Sequence, residues 1–187
     1  MRVIAGEAGG LRLVAPKGDR TRPTADRVKE SLFSALALHI DGASVLDLYA
    51  GSGALAIEAL SRGARSAVLV DRAHPATVAI RANLASTRMG GRARVVRRAV
   101  EAVVRDPPPP EAPFDLMFLD PPYDQPIGVV AKALDSLGTS ERAASDARIV
   151  VEGAAATPTP AWPSGWDATW ERASGGTIVT VLARIVP

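Results

Sequence analysis

Cysteine is absent from the 187 residues. Disulfides, thiolate nucleophiles and cysteine-ligated metal sites are therefore excluded. Histidine is nearly absent: only His39 and His74 occur, too few for a histidine-rich metal centre, so no metal is expected. No apolar run approaches the roughly 20 residues of a membrane-spanning helix. The opening Met1-Arg2-Val3-Ile4-Ala5-Gly6-Glu7 is broken by charge within a few residues, so no signal peptide is read there. A soluble, cytoplasmic protein without a membrane partner is expected. With 47% hydrophobic residues, the chain can bury one good core, with a small appendage at most.

The net charge of +2 hides an asymmetry. Residues 1–113 hold 17 Lys and Arg against 11 Asp and Glu, a balance of +6; residues 114–187 hold 5 against 9, a balance of −4. A basic first part suits a polyanionic partner, although arginines scattered over a solvated surface give the same count.

Gly9-Gly10 separates the short apolar runs Val3–Ala5 and Leu11–Val14, which predicts a small N-terminal β-hairpin. A helix is predicted from the cap Thr24, with Val28, Leu32, Phe33, Leu36 and Ile40 as its buried stripe. Asp26 suits the positive end of that helix. Arg27 and Lys29 oppose the helix dipole there, a hint that they meet something anionic. Strands are predicted at Ser44–Tyr49, Ala67–Asp71, Ala93–Val96, Phe114–Leu119 and Arg148–Glu152. Helices are predicted at Ala54–Ser61, Pro75 to about Met89, a short stretch ending at Val104, and Ile127–Leu137. Trp166–Glu171 and Thr177–Arg184 flank Gly175-Gly176 as a terminal hairpin. Strands alternating with helices imply an α/β protein of seven strands, mostly parallel, with helices on both faces.

Two corners carry the chemistry. Gly51-Ser52-Gly53 follows the first strand and gives a tight loop that a ligand can approach closely. Asp71 ends the next strand 20 residues after Gly51, where its carboxylate can bind both hydroxyls of a ribose. NAD and S-adenosylmethionine both fit these features. Asp47, just before the glycine loop, favours the second, because a carboxylate repels a pyrophosphate but attracts the ammonium group of a methionine moiety. The second corner is Asp120-Pro121-Pro122-Tyr123. Its prolines end the strand and free a carbonyl from ladder pairing. It places a carboxylate and an aromatic ring at the carboxyl edge of the sheet, where open α/β sheets bind ligands.

Asp47-Leu48-Tyr49-Ala50-Gly51-Ser52-Gly53 together with Asp120-Pro121-Pro122-Tyr123 resembles class I, Rossmann-like, S-adenosylmethionine-dependent methyltransferases of exocyclic amines. Arg2-Val3-Ile4-Ala5-Gly6, Leu11-Arg12-Leu13, Arg22–Phe33 and Ala50–Ala64 are similar to the RsmD family, bacterial 16S rRNA guanine-N2 methyltransferases. The resemblance runs nearly the whole length, and Arg22-Pro23-Thr24-Ala25-Asp26-Arg27-Val28 is its most specific block. It implies residues 1–22 as an RNA-contacting hairpin extension and 23–187 as the methyltransferase domain. It implies Asp120, Pro121, Pro122 and Tyr123 as the catalytic corner, and Asp47, Tyr49, Gly51, Ser52, Gly53, Asp71 and Arg72 as the cofactor site. Arg2, Arg12, Arg22, Thr24 and Arg27 become RNA contacts, with 16S rRNA in the small ribosomal subunit as partner and a monomer as the working unit. Gly9 replaces a hairpin arginine usual in the family. Ala99 replaces an Asp or Asn that reads the adenine.

In such a corner, Asp120 and the Pro121 carbonyl accept the two N–H bonds of an amine and free its lone pair, while Tyr123 stacks on an extruded base. The corner itself does not choose between guanine, adenine and cytosine. A DNA adenine-N6 or cytosine-N4 methyltransferase uses the same one, but the chain has no room for a target-recognition domain. A protein glutamine methyltransferase typically has Asn at position 120. An NAD-binding module is the reading from another class.

Overall fold

A computed structural model describes residues 1–17, 26–122, 125–139, 141–156 and 160–185. Arg22, Thr24 and Tyr123 lie outside them. In chain order the elements are α1 (Asp26–Ala35), β1 (Ser44–Leu48), α2 (Ala54–Ser61), β2 (Ser66–Val70), α3 (His74–Ser86), β3 (Ala93–Val96), α4 (Val100–Arg105), β4 (Phe114–Leu119), α5 (Ile127–Leu137), β5 (Ala143–Ala154), β6 (Trp166–Ser174) and β7 (Thr177–Arg184). The strands form one sheet in the order β3-β2-β1-β4-β5-β7-β6. Pairing is parallel from β3 through β5 and antiparallel for β7 with both its neighbours. This is the architecture of class I methyltransferases, as the sequence implied.

The central strands read as continuous apolar runs because both of their faces are covered. Leu116 and Phe118 of β4 pack towards α1 and α2, and Met117 and Leu119 towards α5. Phe33 of α1 meets Phe118 with ring centroids 5.9 Å apart. Burying each such side chain stabilises the fold by about 1.5–3 kcal/mol.

Boundaries shift where local hydrogen bonds compete with periodicity. The first helix ends at Ala35 and tightens into a 3-10 turn over Ala37–His39, rather than running on to Ile40. α3 ends before Met89, because Thr87 turns its hydroxyl onto the Asn83 carbonyl and Arg88 adopts a left-handed φ of 60°. β5 is longer than predicted, since pairing with β7 continues to Ala154.

The N-terminal hairpin is short: Arg2 and Arg12 form an isolated antiparallel bridge, and the turn spans the residues between Ile4 and Gly10 rather than Gly9-Gly10 alone. It packs firmly on the main domain. Val3, Ala8 and Leu13 are part of the core against α1–α3. The Glu58 carboxylate of α2, fully buried, accepts the Ile4 N–H at 2.7 Å and the Ala5 N–H at 3.1 Å. Gly6, at φ +82°, lies so close to Ser61 that a Cβ would sit 1.8 Å from the Ser61 carbonyl oxygen. Lys29 donates to the Arg2 carbonyl and lies 3.2 Å from Glu58. The anion predicted for Lys29 is therefore internal: both partners are buried. Arg27 is exposed.

Candidate functional site

The site lies at the carboxyl edge of β1, β2, β4 and β5. β1 runs straight into a backbone built to turn: Tyr49 has φ 60°, Gly51 55° and Gly53 76°. Two of these are glycines, for which such angles carry no steric cost; Tyr49 is held there despite its side chain. Gly51 donates its N–H to Asp71 at 2.9 Å, and Gly53 closes the turn onto the Ala50 carbonyl at 2.6 Å. A Cβ on Gly51 would meet nothing nearer than the Tyr49 carbonyl oxygen at 3.9 Å, so this face of the loop is open. A Cβ on Gly53 would strike Leu69 at 2.9 Å. The first glycine leaves room for a ligand, and the second lets α2 pack on the sheet.

Asn83 of α3 supports the loop from behind. Its amide nitrogen donates to the Ser52 carbonyl and the Val14 carbonyl, each at 2.9 Å, and its oxygen accepts the Val14 N–H at 2.8 Å. The Ser52 hydroxyl faces Met1 Sδ at 3.1 Å. Ser52 thus joins the loop to the N-terminal segment through its side chain. Nothing in the sequence pattern signals Asn83 beyond being an amide in an apolar helix stripe.

Asp71 accepts N–H groups from Gly51 and Ala73 and stays half-buried, with lone pairs left over for hydroxyl donors. The Tyr49 hydroxyl is buried with no hydrogen-bond partner among the described residues. Its pKa is pushed up to about 12, first by burial and then by the Glu101 carboxylate, against the pull of Arg72. Arg72 itself is exposed. An orphaned hydroxyl, an open glycine and a ribose-ready carboxylate fit a nucleoside bearing a methionine moiety. Glu101 also accepts a hydrogen bond from Gln125 at 3.0 Å and ties α4 to the segment that follows Pro121-Pro122. Neither residue is evident from the motifs.

Asp47 is buried within β1 and accepts the Ala56 N–H at 3.2 Å. Burial is the main cause that lifts its pKa to about 7; the Ala56 hydrogen bond opposes the rise and Asp71 adds to it. The folded value lies above the unfolded one, so this group favours the fold most below pH 4 and progressively less up to about pH 7. Asp47→Asn is therefore expected to raise the Tm of the ligand-free protein at pH 8 and to remove this slope from a Tm-against-pH series. It should also weaken S-adenosylmethionine binding roughly 10- to 100-fold, the worth of one charge-assisted hydrogen bond, by calorimetry. Unchanged affinity would show that Asp47 serves only the loop.

Asp120 follows β4 directly and is half-buried; Pro121 is buried and Pro122 exposed. The Asp120 carboxyl is held well above the ordinary carboxylate range, mostly by burial, then by the charges of Glu152 and Asp47. Asp47 and Asp120, 73 positions apart, are brought together by strand pairing, since Leu48 of β1 is opposite Leu119 of β4. A cleft partly open to solvent adjoins the corner, lined by Pro121, Pro122, Gln125, Glu152, Trp162 and Thr180 among others. Among the described residues no cluster of His, Cys, Asp or Glu is arranged to hold a metal ion, and no helix is long and apolar enough to cross a membrane.

Of the predicted RNA contacts, Arg2 and Arg12 stand opposite each other on the bridge, both exposed, and Arg2 is 3.2 Å from Asp26. Arg27 is exposed one residue further along α1. Ala99 precedes α4 and caps it without a side-chain hydrogen bond.

The family described as Conserved hypothetical protein 95 matches residues 1–183. Ribosomal RNA small subunit methyltransferase D of Escherichia coli strain K12 is 34% identical over 94% of this chain and 85% of its own length. Its counterpart in Haemophilus influenzae is 31% identical over 94% and 89%. The solved structure of yhhF from Escherichia coli superposes with a TM-score of 0.85 at 33% identity, covering 98% of this chain and 97% of that one.

Proposed function

Because the chain belongs to the RsmD family, described as Conserved hypothetical protein 95, we propose that it is an rRNA methyltransferase acting on the exocyclic N2 of one guanine in 16S rRNA. S-adenosylmethionine is the methyl donor and the assembled small subunit the substrate. The observation that carries this reading is the register of β1 with β4, in which Leu48 pairs with Leu119, so that Asp120 leaves β4 beside the strand end where Asp47 precedes the glycine loop. It brings an amine-accepting corner to the place where the methionine end of the donor would lie.

The donor supplies an electrophilic methyl group on a sulfonium. The chain supplies position and charge. Asp71 takes the ribose hydroxyls, the Tyr49 hydroxyl and the open face of Gly51 contact the nucleoside, and Asp47 takes the ammonium group. Asp120 and the Pro121 carbonyl accept the two N–H bonds of the guanine amine. This favours a pyramidal nitrogen whose lone pair points at the methyl group, so that the remaining barrier is mostly one of alignment. As the new N–C bond forms, the C–S bond breaks and its electrons stay on sulfur. The surplus proton leaves the nitrogen to the Asp120 carboxylate. Tyr123 stacks on the extruded base.

Arg2, Arg12, Arg22, Thr24 and Arg27 bind the RNA backbone. Two arginines directly opposite each other on a short bridge repel, at a cost of a few tenths of a kcal/mol. A phosphate placed between them removes that repulsion.

Mass-spectrometric mapping of the methylated base tests the reading, with small subunits lacking the modification, naked 16S rRNA and duplex DNA as substrates. One N2-methylguanine in the particle is expected. Transfer confined to adenine or cytosine in duplex DNA would replace this reading with the DNA methyltransferase alternative.

A further inference from the structure

The corner that accepts an amine leaves the base unspecified, since guanine, adenine and cytosine each offer one. A second carboxylate lies beside it. Leu119 of β4 pairs with Val151 of β5, so Asp120 and Glu152 are the next residues along two adjacent parallel strands. Phe118 and Val150, two positions earlier on each strand, belong to the same core layer against α1 and α2, as does Val45, two before Asp47. Strand alternation therefore directs Asp47, Asp120 and Glu152 to one face of the sheet. Glu152 is only 6% exposed, and it also borders the cleft walled by Pro121 and Pro122. The Glu152 charge adds to the burial that disfavours ionisation of Asp120.

The three amines differ in what stands next to them. Guanine N2 has the N1–H donor as neighbour. Adenine N6 has the bare N1 acceptor, and cytosine N4 the bare N3 acceptor. Two adjacent acceptors on the protein match the donor–donor edge of guanine and repel the donor–acceptor edges of the other two.

We propose that Glu152 is the specificity-determining residue of the site, accepting the N1–H of the target guanine while Asp120 accepts its N2 amine. The inference rests on the function proposed above. It places base choice on β5, outside the Asp120–Tyr123 motif and outside the N-terminal block.

The test uses 2-aminopurine, which keeps the N2 amine of guanine but has an acceptor at N1 in place of the N–H. Small subunits are reconstituted from ligated 16S rRNA carrying either guanine or 2-aminopurine at the mapped position. Wild-type protein is expected to prefer guanine roughly 10- to 100-fold in kcat/KM, the discrimination of a buried acceptor left facing an acceptor. Glu152→Gln presents an amide N–H and is expected to lower the guanine rate and bring the ratio near one. Both rates come from the same protein, so partial loss of folded enzyme cancels. Should Glu152→Gln not fold, Glu152→Asp is expected to give an intermediate ratio. Equal wild-type rates on the two bases, or an unchanged ratio in a folded Glu152 variant, would overturn the role of Glu152. Absence of any N2-methylguanine with wild-type enzyme would instead overturn the proposed function.

Discussion

Asp120→Ala is expected to lower kcat by about three orders of magnitude while S-adenosylmethionine affinity, read by calorimetry, stays within a few-fold of wild type. The loss is that of an acceptor needed while the nitrogen develops charge, comparable to removing one oxyanion-hole donor. Cofactor binding is spared because the groups proposed for it, Asp47, Asp71, Tyr49 and Gly51, lie on β1, in the loop after it and just past the end of β2. Asp120→Asn keeps one carbonyl oxygen in place and is expected to retain part of the activity. It also separates charge from geometry. The Asp120 carboxyl is raised by burial and by Glu152 and Asp47, and only its ionised form accepts a proton. Wild-type kcat should therefore fall as pH drops through that raised pKa, and Asp120→Asn should lack this limb of the profile. Wild-type activity in Asp120→Ala would remove Asp120 from the chemistry.

Glu58→Ala is expected to cost about 3–5 kcal/mol in urea unfolding, the range for breaking a buried ion pair from one side. Four groups depend on this carboxylate: the Ile4 and Ala5 N–H groups, Lys29 at 3.2 Å and Arg62 at 2.8 Å. Without it, the Lys29 ammonium keeps the Arg2 carbonyl as acceptor but loses its counter-charge in a buried position. Lys29→Met should cost less, because Glu58 still has Arg62 and two backbone donors. Hydrogen exchange locates the effect: protection at Val3, Ile4, Ala5 and Ala8 should fall further in Glu58→Ala than protection in β1 or β4. A stability loss below about 1 kcal/mol would show that the hairpin is held by its apolar contacts alone.

Much of this was legible locally. The apolar runs of β1, β2 and β4 announce strands buried on both faces, and Gly51-Ser52-Gly53 announces the turn, since each depends on neighbours a few residues away. Asp47, Asp71 and Asp120 were recognisable because a carboxylate at the end of an apolar strand has few structural reasons to be there. Lys29 was recognisable in part for a related reason. A cation in the first turn of a helix hints at an anion, but the anion it meets, Glu58, is 29 positions away. Glu58 did leave a trace: it is the one charge in Ala54–Ser61, a helix otherwise of small and apolar residues. A lone acid there marks an internal contact.

The sequence by itself determined the alternation of strands and helices, the glycine turn after β1 and the Asp-Pro-Pro end of β4. These follow from steric and hydrogen-bonding preferences of short segments, which act before the chain is assembled. Only the tertiary structure decided that Asp120 stands beside both Asp47 and Glu152, that Asn83 props Ser52, and that the N-terminal hairpin is clamped through Glu58. Each depends on strand register or helix docking between residues 31 to 73 positions apart. Such contacts are fixed by the global burial of both sheet faces, and no local pattern names the partners.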